Sequence, residues 1–279
     1  METNPLTILS QSSLQDYLDC SLRFKLRYLD HLSYPAVESE PALENEKHQR
    51  EGEYFHRLVQ QYLIGIPAGQ ITKLANTPNL QRWWDNFQAF AKTSLADLIS
   101  CLPEVTLSAP LGKHRLLAKY DLIAVNDGKA TIYDWKTYRK RPRNEWLSAR
   151  MQTRVYRAML AKAGMHLNNG QPFEPELIEM IYWFADFPNE PARFEYTSAQ
   201  YKRDWDVLLK LSDEIALRQA QDNASSYPPT DDHQKCAYCT YRSYCERGIR
   251  AGDMDQAESE MEAEELFIVN FEQIGEIAF

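Results

Sequence analysis

Two aspartates and a lysine near the middle of the chain are the residues best suited to chemistry. Asp121 is followed, after twelve intervening residues, by Asp134-Trp135-Lys136. Both aspartates sit in apolar runs, LLAKYDLIAV and ATIYDW, where a charge is costly unless it is paired or binds a metal. Between the runs lies Asn126-Asp127-Gly128-Lys129, and Asp-Gly is a strong signal for a two-residue hairpin turn. With Asp127 and Gly128 at the centre of the turn, Asn126 faces Lys129 and Asp121 faces Asp134. Like charges directly opposite are destabilising in a sheet, so this register asks for a cation between the carboxylates. Lys136 is two residues beyond Asp134 and therefore on the same face. Paired carboxylates suit magnesium or manganese. Such a metal lowers the pKa of water and stabilises charge on a phosphate oxygen, and a neighbouring lysine can orient that water.

The surrounding periodicity supplies the elements that would hold these groups. A helix is expected through SLQDYLDCSLRFKLRYL, capped by Ser10 or Ser12, with Leu14, Tyr17, Leu18, Leu22 and Leu26 at helical spacing. Residues 35–45 read as a loop. Two more helices fit 46–64 and 80–99. The period then changes, and 104–110, 114–125 and 129–137 read as strands rich in β-branched and aromatic residues. A helix over 145–163, a strand over 176–184 and a helix over 198–221 complete the order. That order predicts an α/β or α+β domain with a mixed sheet rather than a doubly wound nucleotide fold.

Asp121 with Asp134-Trp135-Lys136 resembles the signature of the PD-(D/E)XK nuclease superfamily. Three further features resemble its RecB-like branch: Gly52-Glu53-Tyr54-Phe55-His56 as a GxxxH helix, Gln152 and Tyr156 as a QxxxY motif, and four cysteines spaced like an iron–sulfur clasp. Ala118 stands where these proteins commonly have glycine, and Tyr120 where proline or isoleucine is common. The resemblance spans Cys20 to Cys245. It implies an α/β restriction-endonuclease-like core, with a mixed central sheet flanked by helices, an N-terminal helical region and a C-terminal iron–sulfur segment. It also implies that His56, Asp121, Asp134 and the Trp135 carbonyl bind Mn2+ or Mg2+. Lys136 would activate water, and Gln152 and Tyr156 would hold the strand or the lysine near the scissile phosphate.

Five cysteines are present, and Cys236, Cys239 and Cys245 form C-x2-C-x5-C. The N-terminus has no basic patch or apolar core of a secretory signal, so disulfides are not expected. Thiolates at this spacing bind zinc or an iron–sulfur cluster. Cys20 is the candidate fourth ligand, and His233 is an alternative for zinc. The resemblance favours a 4Fe-4S cluster on Cys20, Cys236, Cys239 and Cys245, stapling the first helix to the C-terminal segment. Cys101 reads as a small buried hydrophobe.

The net charge is −9, yet nine acids and no Lys or Arg lie in 251–279. The first 250 residues balance, and 136–157 carry eight Lys or Arg against Glu145 alone, a patch that could meet phosphates. Arg23, Lys25 and Arg27 on the first helix could line a strand channel beside the cluster. The expected organisation is one nuclease domain over 1–250, with helical part 12–100, sheet core 104–197 and clasp 236–245, then an acidic tail over 251–279. The expected function is a metal-dependent, cytoplasmic DNA nuclease, foremost a single-stranded DNA exonuclease in repair, recombination or CRISPR-related processing. The alternative is a DNA-binding iron–sulfur module or accessory subunit with weak cutting. Without Walker A glycines, a helicase or CRISPR-associated partner would be a separate chain. No apolar run is long enough for a membrane span.

Overall fold

A computed structural model describes residues 8–33, 42–96, 98, 100–221, 226–237 and 239–248. The acidic run over 251–279 lies outside them, as does most of the expected loop at 35–45. Strand β1 (Ile8–Leu9) leads into α1 (Gln11–Asp19), whose start is closed by a capping box between Ser10 and Ser13. The expected continuous first helix breaks at Cys20, which adopts extended dihedrals of −162° and 108° before α2 (Ser21–Phe24) and a π-helical turn over Lys25–Leu29. Cys20 therefore sits between two helices rather than on one.

The arginines of this region face inward, which corrects the expected strand channel. Arg23 Nε and Arg27 Nη1 each lie 2.8 Å from the buried Asp16 carboxylate. A buried charge must be paired, and Asp16 draws both guanidiniums out of solvent. Lys25 pairs with Asp30.

Helices α3 (Ala42–Leu63), α4 (Ala68–Ile71) and α5 (Pro78–Phe90) come next. Thr77 caps α5 by accepting the Leu80 N–H, and Pro78 in its first turn has no N–H to leave unsatisfied. Strands β2 (Ser100–Leu111), β3 (His114–Asn126) and β4 (Lys129–Lys136) follow. The expected helix over 145–163 is two helices, α6 (Asn144–Ala149) and α7 (Met151–Ala163), divided by an extended Arg150. Strands β5 (Ile178–Phe184) and β6 (Phe187–Glu195), then α8 (Ser198–Gln221) and α9 (His233–Ala237), complete the described chain.

The architecture is α/β, with one mixed six-stranded sheet between two helical layers. β4 pairs antiparallel with β3 and parallel with β5. One layer packs α1, α7 and α8 through Leu14, Tyr17, Val155, Met159, Leu208 and Ile215. The other packs α3 and α5 through Phe55, Val59, Trp83, Trp84 and Phe87 against Trp135 and Trp183.

β3 carries β2 along one edge. On its other edge β1 pairs only at Arg115 and Leu116, and β4 only from Leu122 to Asn126. That edge is open between them, and Asp121 lies at the end of the gap. The strand also changes face there. Leu116, Ala118 and Tyr120 point into the α7 layer, but past Asp121 it is Ile123 and Val125 that do so, while Leu122 and Ala124 point at α3 and α5. β2 switches in step at Glu104, whose φ is 56°. Asp121 thus stands where one carboxylate can be reached from both layers.

Candidate active site

The hairpin register is the expected one. Asp127 and Gly128 both have positive φ, 47° and 79°, as a two-residue turn of this type requires. The ladder runs from Asn126–Lys129 to Leu122–Tyr133. One step further the strands part, so the two carboxylates do not meet as a bare like-charged pair. Asp121 Oδ2 instead accepts the Trp135 backbone N–H at 2.8 Å. In a strand the N–H and C=O of one residue face the same neighbour, so the Trp135 carbonyl is directed to the Asp121 side.

Asp121 Oδ1 lies 3.3 Å from His56 Nδ1, which reaches it from α3. Burial pushes the Asp121 carboxyl up, but the His56 imidazole, the Trp135 N–H and the Lys136 ammonium outweigh it and hold the carboxyl below its usual range. Gly52, one turn before His56, lets α3 approach the end of β4. A Cβ there would stand 2.8 Å from Thr137 Oγ1.

Asp134 and Lys136 are both almost fully buried and point into the α7 layer. Lys136 Nζ lies 2.9 Å from Asp134 Oδ2. Gln152, in the first turn of α7, closes the group: its Nε2 donates to Asp134 Oδ1 at 2.9 Å and its Oε1 accepts from Lys136 Nζ at 3.0 Å. A single amide therefore bridges Asp134 and Lys136. Tyr156 is one turn further along α7, its ring tilted 44° against that of Tyr120 with centroids 4.7 Å apart. The Tyr120 hydroxyl donates to the Tyr156 carbonyl at 2.8 Å, which gives this tyrosine its own use in positioning α7. Burial and then the Asp134 and Asp121 carboxylates push the Tyr156 phenol well above its usual range, so it remains a hydrogen-bond donor.

Sequence reasoning missed four residues around this group. Tyr182 is laterally paired with Asp134 in β5, and Lys136 Nζ sits 5.5 Å from its ring centroid. Only parallel pairing reveals that face. His48, eight residues before His56 on α3, bonds the Thr137 carbonyl at 2.7 Å; two histidines flanking Gly52 at helical spacing were a usable signal. Gln11 and Gln15 reach α7 from α1.

The donors around the sheet gap are one imidazole, two carboxylates and a backbone carbonyl, a set that fits manganese or magnesium. As the side chains lie, His56 and Asp121 face each other while Asp134 is engaged by Lys136 and Gln152. No three His, Cys, Asp or Glu side chains among the described residues are grouped closely enough to hold an ion.

The four motif cysteines line one small cavity, with Arg23, Lys235, Arg242 and Arg247 around it. Burial raises the Cys245 thiol to about 11, and Cys239, Cys20 and Cys236 add to the rise. Lys235 also joins α9 to α1 by a 2.8 Å contact with Asp19. Four thiols from two distant segments, ringed by cations, are the donor type of an iron–sulfur cluster or zinc, but as the side chains lie no three of them are close enough together to hold an ion. His233 faces Arg247 and does not line the cavity. Cys101 is half-buried, on β2 and away from this group.

Of the basic patch, Lys136 is buried in the site, and Arg157 is buried over the Tyr196 ring and donates to the Glu195 carbonyl. Lys140 and Arg143 are exposed on the segment leading to α6. No helix among the described residues is long and apolar enough to cross a membrane.

A family model for the PD-(D/E)XK nuclease superfamily matches residues 8–246. No curated protein matches. Among solved structures, a provisionally named exonuclease from Eubacterium rectale aligns over 90% of this chain and 92% of its own, at 13% identity and a TM-score of 0.51. The protein SSO0001 aligns over 86% and 85%, at 13% identity and a TM-score of 0.40.

Proposed function

Because the chain belongs to the PD-(D/E)XK nuclease superfamily, we propose that it is a metal-dependent deoxyribonuclease of the RecB-like branch, acting as an exonuclease on single-stranded DNA. The observation that carries this reading is the buried Lys136–Asp134–Gln152 group beside the sheet gap where Asp121 meets His56.

His56, Asp121, Asp134 and the Trp135 carbonyl would hold Mn2+ or Mg2+, whose chemistry when bound is to acidify water and neutralise charge on the phosphate. Lys136 donates toward the attacking water and the non-bridging oxygen. Gln152 keeps the lysine charged and aimed by accepting from it while donating to Asp134. Tyr156 donates from the neighbouring turn. The exposed cations before α6 receive backbone phosphates.

The organisation we infer is one nuclease domain over 1–250 and a separate acidic segment over 251–279. Within the domain a 4Fe-4S cluster on Cys20, Cys236, Cys239 and Cys245 ties α1 to α9. The single-stranded substrate, a place in repair, recombination or CRISPR-related processing, and a helicase or CRISPR-associated partner rest on the sequence resemblance. An imidazole ligand favours manganese.

The test uses protein purified without oxygen, incubated with Mn2+ and end-labelled linear or circular single-stranded DNA beside Asp134→Ala. Loss of nucleotides from linear DNA only, abolished in the variant, is the expected result. Cutting of circles would make it an endonuclease. No cutting by folded, DNA-binding protein would overturn the enzymatic reading.

A further inference from the structure

The amide of Gln152 is useful only if the start of α7 is fixed, and α7 does not fix its own start. Arg150, the residue before it, is extended and its side chain makes no cap bond to the first turn. Helix N-termini leave backbone donors unsatisfied unless a side chain accepts from them. Here the acceptor comes from another helix. Gln15 Oε1 on α1 accepts the Met151 backbone N–H at 3.2 Å, and Gln15 is buried. Met151 is the residue immediately before Gln152.

A second contact gives the direction of α1 along α7. Gln11, one turn before Gln15, donates from Nε2 to the Tyr156 hydroxyl at 3.2 Å. Residues four apart share a helix face, so Gln11 and Gln15 meet α7 at Tyr156 and Met151 with the two helices antiparallel. The same helix continues through Asp16 and Asp19 to Cys20 at the cysteine-lined cavity. One face of α1 thus holds the turn that carries Gln152, while its far end belongs to the cysteine group.

We propose that Gln15 is a positioning residue: from α1 it caps α7 in trans and sets Gln152 against Lys136 and Asp134. This rests on the nuclease reading for its kinetic consequence but not for its structural one. Misplacing a catalytic side chain by about 1 Å can cost on the order of 100-fold in rate. A lost cap leaves distant phosphate contacts untouched.

The experiment compares Gln15→Met, which keeps length and loses the acceptor, with Gln15→Glu, which keeps the acceptor. Two quantities are measured: amide exchange at residues 151–153, and kcat and KM on end-labelled single-stranded DNA. Gln15→Met is expected to speed exchange at the start of α7 and lower kcat by at least about 10-fold with KM within about twofold. Gln15→Glu is expected to restore both. Unchanged exchange in Gln15→Met would overturn the proposal, as would failure of Gln15→Glu to rescue. If the native protein cuts no DNA, the nuclease reading fails, while the exchange comparison still decides whether Gln15 caps α7.

Discussion

Gln152 and Lys136 meet at 3.0 Å, and the same amide donates to Asp134 at 2.9 Å. The amide is needed as donor and acceptor at once. Gln152→Ala should lower cleavage by about 10- to 100-fold, the range for lost positioning. Gln152→Glu should do no better, because it offers Lys136 an acceptor but sets a carboxylate against Asp134. Single-turnover cleavage of the two variants checks this, and a Gln152→Glu enzyme of native activity would contradict it.

Gly52 and Thr137 give a prediction with a change of sign. An Ala in a helix interior is normally about 1 kcal/mol better than Gly. Here its Cβ would press on Thr137 Oγ1 at 2.8 Å. Gly52→Ala should therefore destabilise the native background and stabilise a Thr137→Ala background. Thermal melts of the four proteins measure the coupling.

The sheet site was legible because its signals are local. Asp-Gly specified the turn and hence the register as far as Leu122–Tyr133. The face switch at Glu104 and Asp121 was not legible, since alternation alone assumes an unbroken pleat. β6 was missed because FPNEPARFE contains two prolines and few apolar residues. The helix breaks at Cys20 and Arg150 carry no Gly or Pro to mark them. Arg23 and Arg27 read as cations lining a strand channel, and only tertiary packing on Asp16 turns them inward.

His48 predicts an acid-side weakness. Burial lowers its pKa below the ordinary value of about 6.5, against the raising effect of its bond to the Thr137 carbonyl, and Arg139 lowers it further. Stability owed to the neutral imidazole is complete above that ordinary value and is lost as pH falls through it toward the lower folded value. His48→Gln keeps a donor for the carbonyl, so its Tm should fall less than the native Tm between about pH 6.5 and 5. Parallel curves would show that His48 does not titrate this way.

The cysteine group predicts about four irons per chain in protein purified without oxygen, as a 4Fe-4S cluster requires. Cys20→Ser should lower iron content and Tm together if, as proposed, Cys20 ligates the cluster and so links α1 to the segment after α9. Cys101→Ser should leave iron content unchanged. One zinc per chain and no iron would assign the same thiols to zinc.

The most direct measurement is Mn2+-dependent cleavage of end-labelled single-stranded DNA by the native protein and Asp121→Asn. Asparagine keeps an oxygen for the Trp135 N–H and replaces the charged oxygen that faces His56 with a neutral amide NH2. Cleavage by Asp121→Asn should fall by about 1000-fold or more, on the scale of lost electrostatic stabilisation, with DNA affinity within about threefold of native. Cleavage by Asp121→Asn at the native rate would contradict it.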